Sequence, residues 1–211
     1  MDKPTMKKTI VAILLLAAAA CAGGQDKPYG IPNLRKVNVR IDGKLSPNEY
    51  PAHFTEPKTG IGVSWVSDGA LLYVALENPG PGWVSIAFGS SKIRGTAMFI
   101  GYHDDAGGKV DEHYGFFFSN HMPVEKPKLV DFATGRTMAG SLVEFSIPLQ
   151  LSNGQTITPG VPMPFVVALN SRKKDSFRGR PTKKAPAVLL LSSPESGKGG
   201  DLKFENFDSL K

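Results

Sequence analysis

The sequence predicts an all-β protein, an antiparallel β-sandwich of about ten short strands. Three observations predict it. Apolar and polar residues alternate in one segment after another, which is the period of a half-buried strand. Turn formers punctuate those segments, with 17 prolines and 23 glycines in 211 residues. Beyond residue 21, no window of helical length carries an apolar stripe at three- and four-residue spacing.

The first element is not part of that fold. Lys3, Lys7 and Lys8 precede an uncharged apolar run, Thr9 to Ala20. A positive start, a short apolar stretch and small residues at its end make an export signal, so residues 1–20 are expected to be a signal peptide. The run is shorter than the roughly 20 apolar residues needed to span a bilayer. Cys21 follows Ala18-Ala19-Ala20 and is the single cysteine of the sequence. One cysteine cannot close an internal disulfide, so an exported chain needs another use for it. The junction resembles a bacterial lipobox, with Ala18 where that pattern usually has leucine. Lipidation of Cys21 is therefore expected, with ordinary cleavage at an Ala-x-Ala site as the alternative. The expected location is the bacterial cell envelope, lipid-anchored and facing the periplasm or the surface, with the membrane as a partner through the lipid.

Processing at Cys21 removes Asp2 and three lysines and lowers the formal charge from +6 to +4. Export makes nucleic acid an unsuitable partner for that surplus. About 190 residues remain, enough for one domain with its own core. Residues 21–34 carry Gly23, Gly24, Gly30, Pro28 and Pro32 with little apolar content, and are expected to be a flexible tether. The sandwich is expected over 35–192, and a polar tail over 193–211, where Phe204 and Phe207 could pin the chain back.

Within the sandwich, Val37, Val39 and Ile41 alternate with Asn38 and Arg40, which predicts a first strand ending at the Asp42-Gly43 turn. Gly62 to Val66 and Ala70 to Leu76 flank Ser67-Asp68-Gly69 and predict a hairpin. Trp83 to Phe88 follows the breaker Asn78-Pro79-Gly80-Pro81-Gly82. Thr96 to His103 sorts Met98, Ile100 and Tyr102 to one face and Ala97, Phe99, Gly101 and His103 to the other. Further strands are expected over Val110 to Phe118, Leu129 to Phe132, Ser141 to Ile147, Phe165 to Leu169 and Ala187 to Leu191. A basic loop precedes the last: Arg172, Lys173, Lys174, Arg178, Arg180, Lys183 and Lys184, opposed by Asp175. Such a loop keeps a sheet edge from pairing with other chains, or docks an acidic partner.

A series of short motifs runs through these elements: Ile41 to Tyr50, Ser64-Trp65, Leu72 to Leu76, Gly82 to Gly89, Arg94 to Gly101, Leu142 to Leu149 and Arg178-Gly179. In this order and spacing the series resembles the bacterial form of the DOMON domain, over about Val37 to Leu191. The resemblance implies an immunoglobulin-like β-sandwich holding a ligand between its sheets, either haem b for electron transfer or a sugar. The positions where the family's haem-binding members carry their axial Met and His are, in this chain, Ile93 and the stretch before Arg178, which contains no histidine. No cofactor is therefore expected, and haem b held by atypical ligands is the alternative.

Substitute axial ligands would come from Met98, His103, His113 and His121. His103 and His113 flank one turn, so a hairpin could bring them to one metal; no established metal-ligand spacing is present, and no metal site is expected. Trp65, Trp83, Tyr102, His103 and His121 are the residues expected to contact a small ligand such as a sugar. For Trp83, core packing is the plainer role. No nucleophile elbow, phosphate loop or zinc-protease motif occurs. The expectation is a non-catalytic module that binds a small ligand or an envelope protein, with no enzyme activity.

Overall fold

The computed structural model describes residues 27–117, 120–172 and 176–194. The expected signal segment, Cys21 and the chain beyond residue 194 lie outside the described residues. The described chain is all β, with twelve strands, numbered in chain order, in two sheets. The seven-stranded sheet runs β1 (Tyr29–Ile31), β12 (Lys183–Leu191), β11 (Met163–Asn170), β5 (Trp83–Phe88), β6 (Ala97–Asp104), β7 (Gly107–Gly115), β8 (His121–Pro123). The five-stranded sheet runs β2 (Ala52–Thr55), β3 (Gly62–Ser67), β4 (Leu71–Glu77), β10 (Ser141–Pro148), β9 (Asp131–Arg136). Neighbouring strands are antiparallel, except that β1 lies parallel to β12.

Alternate residues of each central strand meet between the sheets. Trp65, Val74 and Phe145 come from one sheet; Ile86, Phe99, Phe165 and Val167 come from the other. Phe99 stacks on Phe145, with ring centres 5.2 Å apart. This space is filled by side chains. A ligand between the sheets, as the resemblance implies, has no room there.

The remaining residues of these strands face outward. The outer face of the five-stranded sheet carries Val66, Ala75 and Leu142 and is covered by the chain around residues 34–50. Here the structure differs from the expectation of a first strand. Val37, Val39 and Ile41 form no ladder; Val37 and Val39 pack onto that outer face. Alternation reports an extended chain with one side covered, and sheet hydrogen bonds are not needed to produce it.

The cover is pinned by one buried acid. Glu144 on β10 accepts the Gly43 N–H at 2.8 Å and the Tyr50 hydroxyl at 3.0 Å. Glu49 accepts the Arg40 and Ser46 N–H groups at 2.8 and 2.9 Å. Gly43 has φ +78°, and a Cβ there would lie 2.4 Å from the Thr134 carbonyl oxygen. The Ile41 to Tyr50 motif is therefore a clamp for the architecture.

The expected tether also ends sooner than residue 34. Tyr29–Ile31 pairs with β12, Ile31 is fully buried, and Tyr29 stacks on Phe54 at 3.8 Å. Two large apolar side chains between glycine and proline suffice to occupy an open sheet edge. Smaller differences follow the same logic. β9 begins at Asp131, later than Leu129, and β2 and β8 were not foreseen. β7 ends at Gly115, where a Cβ would meet the Ile93 carbonyl oxygen at 1.8 Å, so the strand stops short of Phe118. β6 sorts its faces as the alternation requires: Ala97 and Phe99 to the inter-sheet core, Met98, Ile100 and Tyr102 outward.

Candidate functional site

The outer face of the seven-stranded sheet is built differently. Trp83 and Ala87 on β5, Met98, Ile100 and Tyr102 on β6 and Ala168 on β11 make its apolar floor. Phe177, from the β11–β12 connection, packs on it. Beside that connection stands the β7–β8 hairpin, and between them lies a cleft of about 790 Å³. That volume suits a small organic ligand.

Tyr102, Phe116 and Phe177 supply aromatic walls, and Phe177 meets Tyr102 and His113 edge-on at 5.2 and 5.3 Å. Among the described residues, the exposed Lys109, Arg178 and Arg180 line the cleft together with one carboxylate, Asp111. Among the described residues none of these three cations is ion-paired.

Two imidazoles complete it. Gly115 pairs with His121 and His113 with Pro123, so His113 and His121 are diagonal neighbours on one face of the hairpin. Their Nδ1 atoms are 2.7 Å apart. Burial, and secondly the proximity of His113, push His121 down to about 4, with the Gly179 backbone opposing. Burial likewise lowers His113, with Asp111 opposing. Both rings are therefore neutral at neutral pH, each with one N–H.

One Nδ1 donates to the other, and the tautomers of the two rings decide which. His113 is 4% exposed, and its Nε2 stands 3.4 Å from the Asp111 carboxylate, outside good hydrogen-bond geometry.

The expected site residues distribute unevenly. Tyr102, His113 and His121 line the cleft. Trp65 does not: it is fully buried between Phe54 and Phe165, its indole N–H donating to the Gly30 carbonyl at 2.9 Å. Trp83 is buried beneath the site, donates to the Arg178 carbonyl at 3.3 Å, and meets His121 edge-on at 5.7 Å. It supports the cleft without facing it. His103 is turned to the opposite face of the sheet, where its Nδ1 meets the Thr134 hydroxyl at 2.9 Å. The expected proximity of His103 and His113 is therefore not found; their strand partners are Gly108 and Met98. Met98 is fully buried in the floor. Among the described residues no group of three His, Cys, Asp or Glu side chains is placed to hold a metal ion.

Lys109, Asp111, Phe116, Phe177, Arg178 and Arg180 line the cleft without having been singled out as contacts. The basic loop signalled two of them. Lys173, Lys174 and Asp175 of that loop lie outside the described residues.

The haem implied by the resemblance needs axial ligands on opposite faces of one ring. Ile93 is apolar and buried, and Met98 does not reach the cleft. His113 and His121 face each other through their Nδ1 atoms and cannot flank one iron. These residues therefore do not fit six-coordinate haem.

No protein-family model matches the sequence, and no curated protein is significantly similar to it. Solved structures do share the architecture. The cytochrome b domain of pyranose dehydrogenase from Coprinopsis cinerea superposes with TM-score 0.55 at 13% identity, over 65% of this chain and 80% of that one. The cytochrome domain of Myriococcum thermophilum cellobiose dehydrogenase gives 0.47 at 13% identity, over 69% and 90%. A family 9 carbohydrate-binding module from Caldicellulosiruptor kristjanssonii, in complex with glucose, gives 0.47 at 14% identity, over 82% and 100%. The first establishes a shared β-sandwich fold; the other two similarities are too low to argue from.

Proposed function

We propose that this protein is a non-catalytic receptor for a small ligand, displayed from the cell envelope by a lipid on Cys21, and that the outer-face cleft is its binding site. The observation that carries the reading is the buried Nε2 of His113, which has no well-formed hydrogen bond. A buried polar atom left so costs roughly 1–3 kcal/mol, and here it stands in a cleft with aromatic walls. A ligand that pairs with it removes that cost.

The test is a thermal-shift screen of the full chain in detergent against sugars, sugar acids, haem and short peptides. A genuine ligand raises Tm in the wild type but not in His113→Phe or Phe177→Ala. A ligand whose shift survives both variants binds elsewhere and removes the cleft from the reading. The alternative is a haem b domain, favoured by the same imidazole nitrogen and by the shared fold. A Soret band that shifts on reduction and vanishes in His113→Phe would establish it. A flat spectrum after haem addition and gel filtration ends it.

A further inference from the structure

The geometry points to a calcium-binding site at one end of the sandwich, in the mouth between the two sheets, with Asn78, Ser141 and Asp104 as its side-chain ligands. It lies apart from the outer-face cleft and does not depend on it.

Strand register builds the floor of this mouth. The Asn78 N–H donates to the Ser141 carbonyl at 2.8 Å, one step beyond the Glu77–Leu142 pair of β4 and β10. Residues opposed in this way carry their side chains on one face, with Cβ atoms roughly 5 Å apart. Asn78 follows Leu76 by two residues, and Ser141 precedes Val143 by two. Leu76 and Val143 belong to the inter-sheet core, so Asn78 and Ser141 face inward as well. Asn78 is 1% exposed and Ser141 3%. The Asn78 amide nitrogen donates to the Gly82 carbonyl at 2.9 Å, which fixes its Oδ1 as the other end of the amide. Among the described residues neither Asn78 Oδ1 nor Ser141 Oγ has a hydrogen-bond partner, so the two do not bond each other either.

Ser141 opens on a cavity of about 360 Å³ whose lip carries Asp104, Asp105 and Arg136. Arg136 is paired with Asp105. Asp104 accepts the Ala106 N–H on Oδ1 at 2.9 Å and has no cationic partner among the described residues. The wall beside Ser141 is backbone: a Cβ on Gly140 would lie 2.4 and 2.5 Å from the Asn78 and Gly80 carbonyl oxygens. Two buried oxygens that no donor reaches, an uncompensated carboxylate and crowded carbonyls suit a hard cation. An anion is repelled there, and an apolar molecule leaves the oxygens unpaired. Calcium takes amide, hydroxyl, carbonyl and carboxylate oxygens alike at about 2.3–2.6 Å, so it needs no cluster of three acids. With one uncompensated carboxylate the affinity belongs in the weak range, a Kd of about 10⁻⁴–10⁻³ M.

Calcium chloride added to the full chain in detergent tests this by calorimetry and thermal shift, with sodium chloride at matched ionic strength as control. Calcium should bind once per chain in that range and raise Tm. Magnesium demands octahedral geometry and loses water reluctantly, so it should bind at least about tenfold more weakly. Ser141→Ala removes an oxygen that holds nothing in the fold. It should keep the calcium-free Tm and weaken calcium about tenfold. Asp104→Asn keeps an acceptor for the Ala106 N–H but loses the charge, and should weaken calcium at least as much. No heat and no calcium-specific rise in Tm at about 10 mM calcium, tenfold above the weakest expected Kd, overturns the inference. So does calcium binding that both variants leave intact, because the ion then sits elsewhere. Neither result touches the outer-face cleft, which Asn78, Ser141 and Asp104 do not line.

Discussion

The two outer faces of this sandwich are built from the same strand alternation and end in opposite states. The five-stranded sheet's outer face is closed by the chain's own segment around residues 34–50, and its buried acid, Glu144, has partners on both oxygens. The seven-stranded sheet's outer face has an equally apolar floor, but over it stands a cleft, and the buried imidazole of His113 keeps one nitrogen without a hydrogen bond. Folding satisfies polar groups wherever the chain itself can reach them. On the proposed reading, the unsatisfied one beside the opening is where a second molecule acts, so that the same buried-polar chemistry serves architecture on one face and recognition on the other.

The largest expected effect tests whether aromatic residues follow this division. Trp65 is locked in the inter-sheet core, with ring neighbours at 5.2 and 5.6 Å. Trp65→Ala should cost about 3–5 kcal/mol and abolish the fold signal in near-ultraviolet circular dichroism. Phe177→Ala, on the open face, should leave the fold near wild-type stability and remove ligand stabilisation. A folded Trp65→Ala protein that has lost only binding would reverse the assignment and return Trp65 to the site.

The next effect sharpens the closed face. Glu144→Ala strands the Gly43 N–H and the Tyr50 hydroxyl, and should cost about 2–3 kcal/mol in urea unfolding. Tyr50→Phe removes one of the two bonds and should cost roughly half as much. Neither should change ligand affinity by more than about twofold, since neither residue reaches the cleft. An affinity loss of tenfold in Tyr50→Phe would mean that the two faces are coupled through the core.

Much of the fold was legible in the residues, and the reasons differ by element. The hairpin around Asp68-Gly69 and the face-sorting of Thr96 to His103 followed directly from period two, because each strand there has one face in the core. Val37 to Ile41 misled for the same reason: it has a covered side but no ladder. The site was legible in part. Tyr102 and His121 were expected as ligand contacts and His113 as a substitute axial ligand, and all three line the candidate cleft, whereas Trp65 and His103 were expected for their chemistry and placed elsewhere by register. The pairing of His113 with His121 depended on where β7 ends. Extending that strand to Phe118 put the hairpin tip in the wrong place. What ends it is the close approach of Gly115 to Ile93, a tertiary contact that local sequence does not announce.

The smallest effect separates the two faces by sign. His121 is pushed down to about 4 from an ordinary 6.5, chiefly by burial, and His113 is lowered by burial too. The unfolded chain therefore takes up protons below pH 6.5 before the folded chain does. The open face contributes its full stability above pH 6.5 and loses it as the pH falls towards 4. Glu144 is raised, again chiefly by burial. In its case the folded chain holds the proton longer, so the closed face loses stability as the pH rises above the ordinary carboxylate range. Between about pH 4.5 and 6.5 the two faces pull in opposite directions, and the imidazoles outnumber the acid. The wild type should lose about 1–2 kcal/mol between pH 7 and pH 5. His121→Gln, which keeps polar atoms without titrating, should flatten that slope in urea melts. Glu144→Gln should steepen it. Parallel slopes in all three proteins would mean that neither buried group sets the acid response, and that the two faces differ in exposure alone.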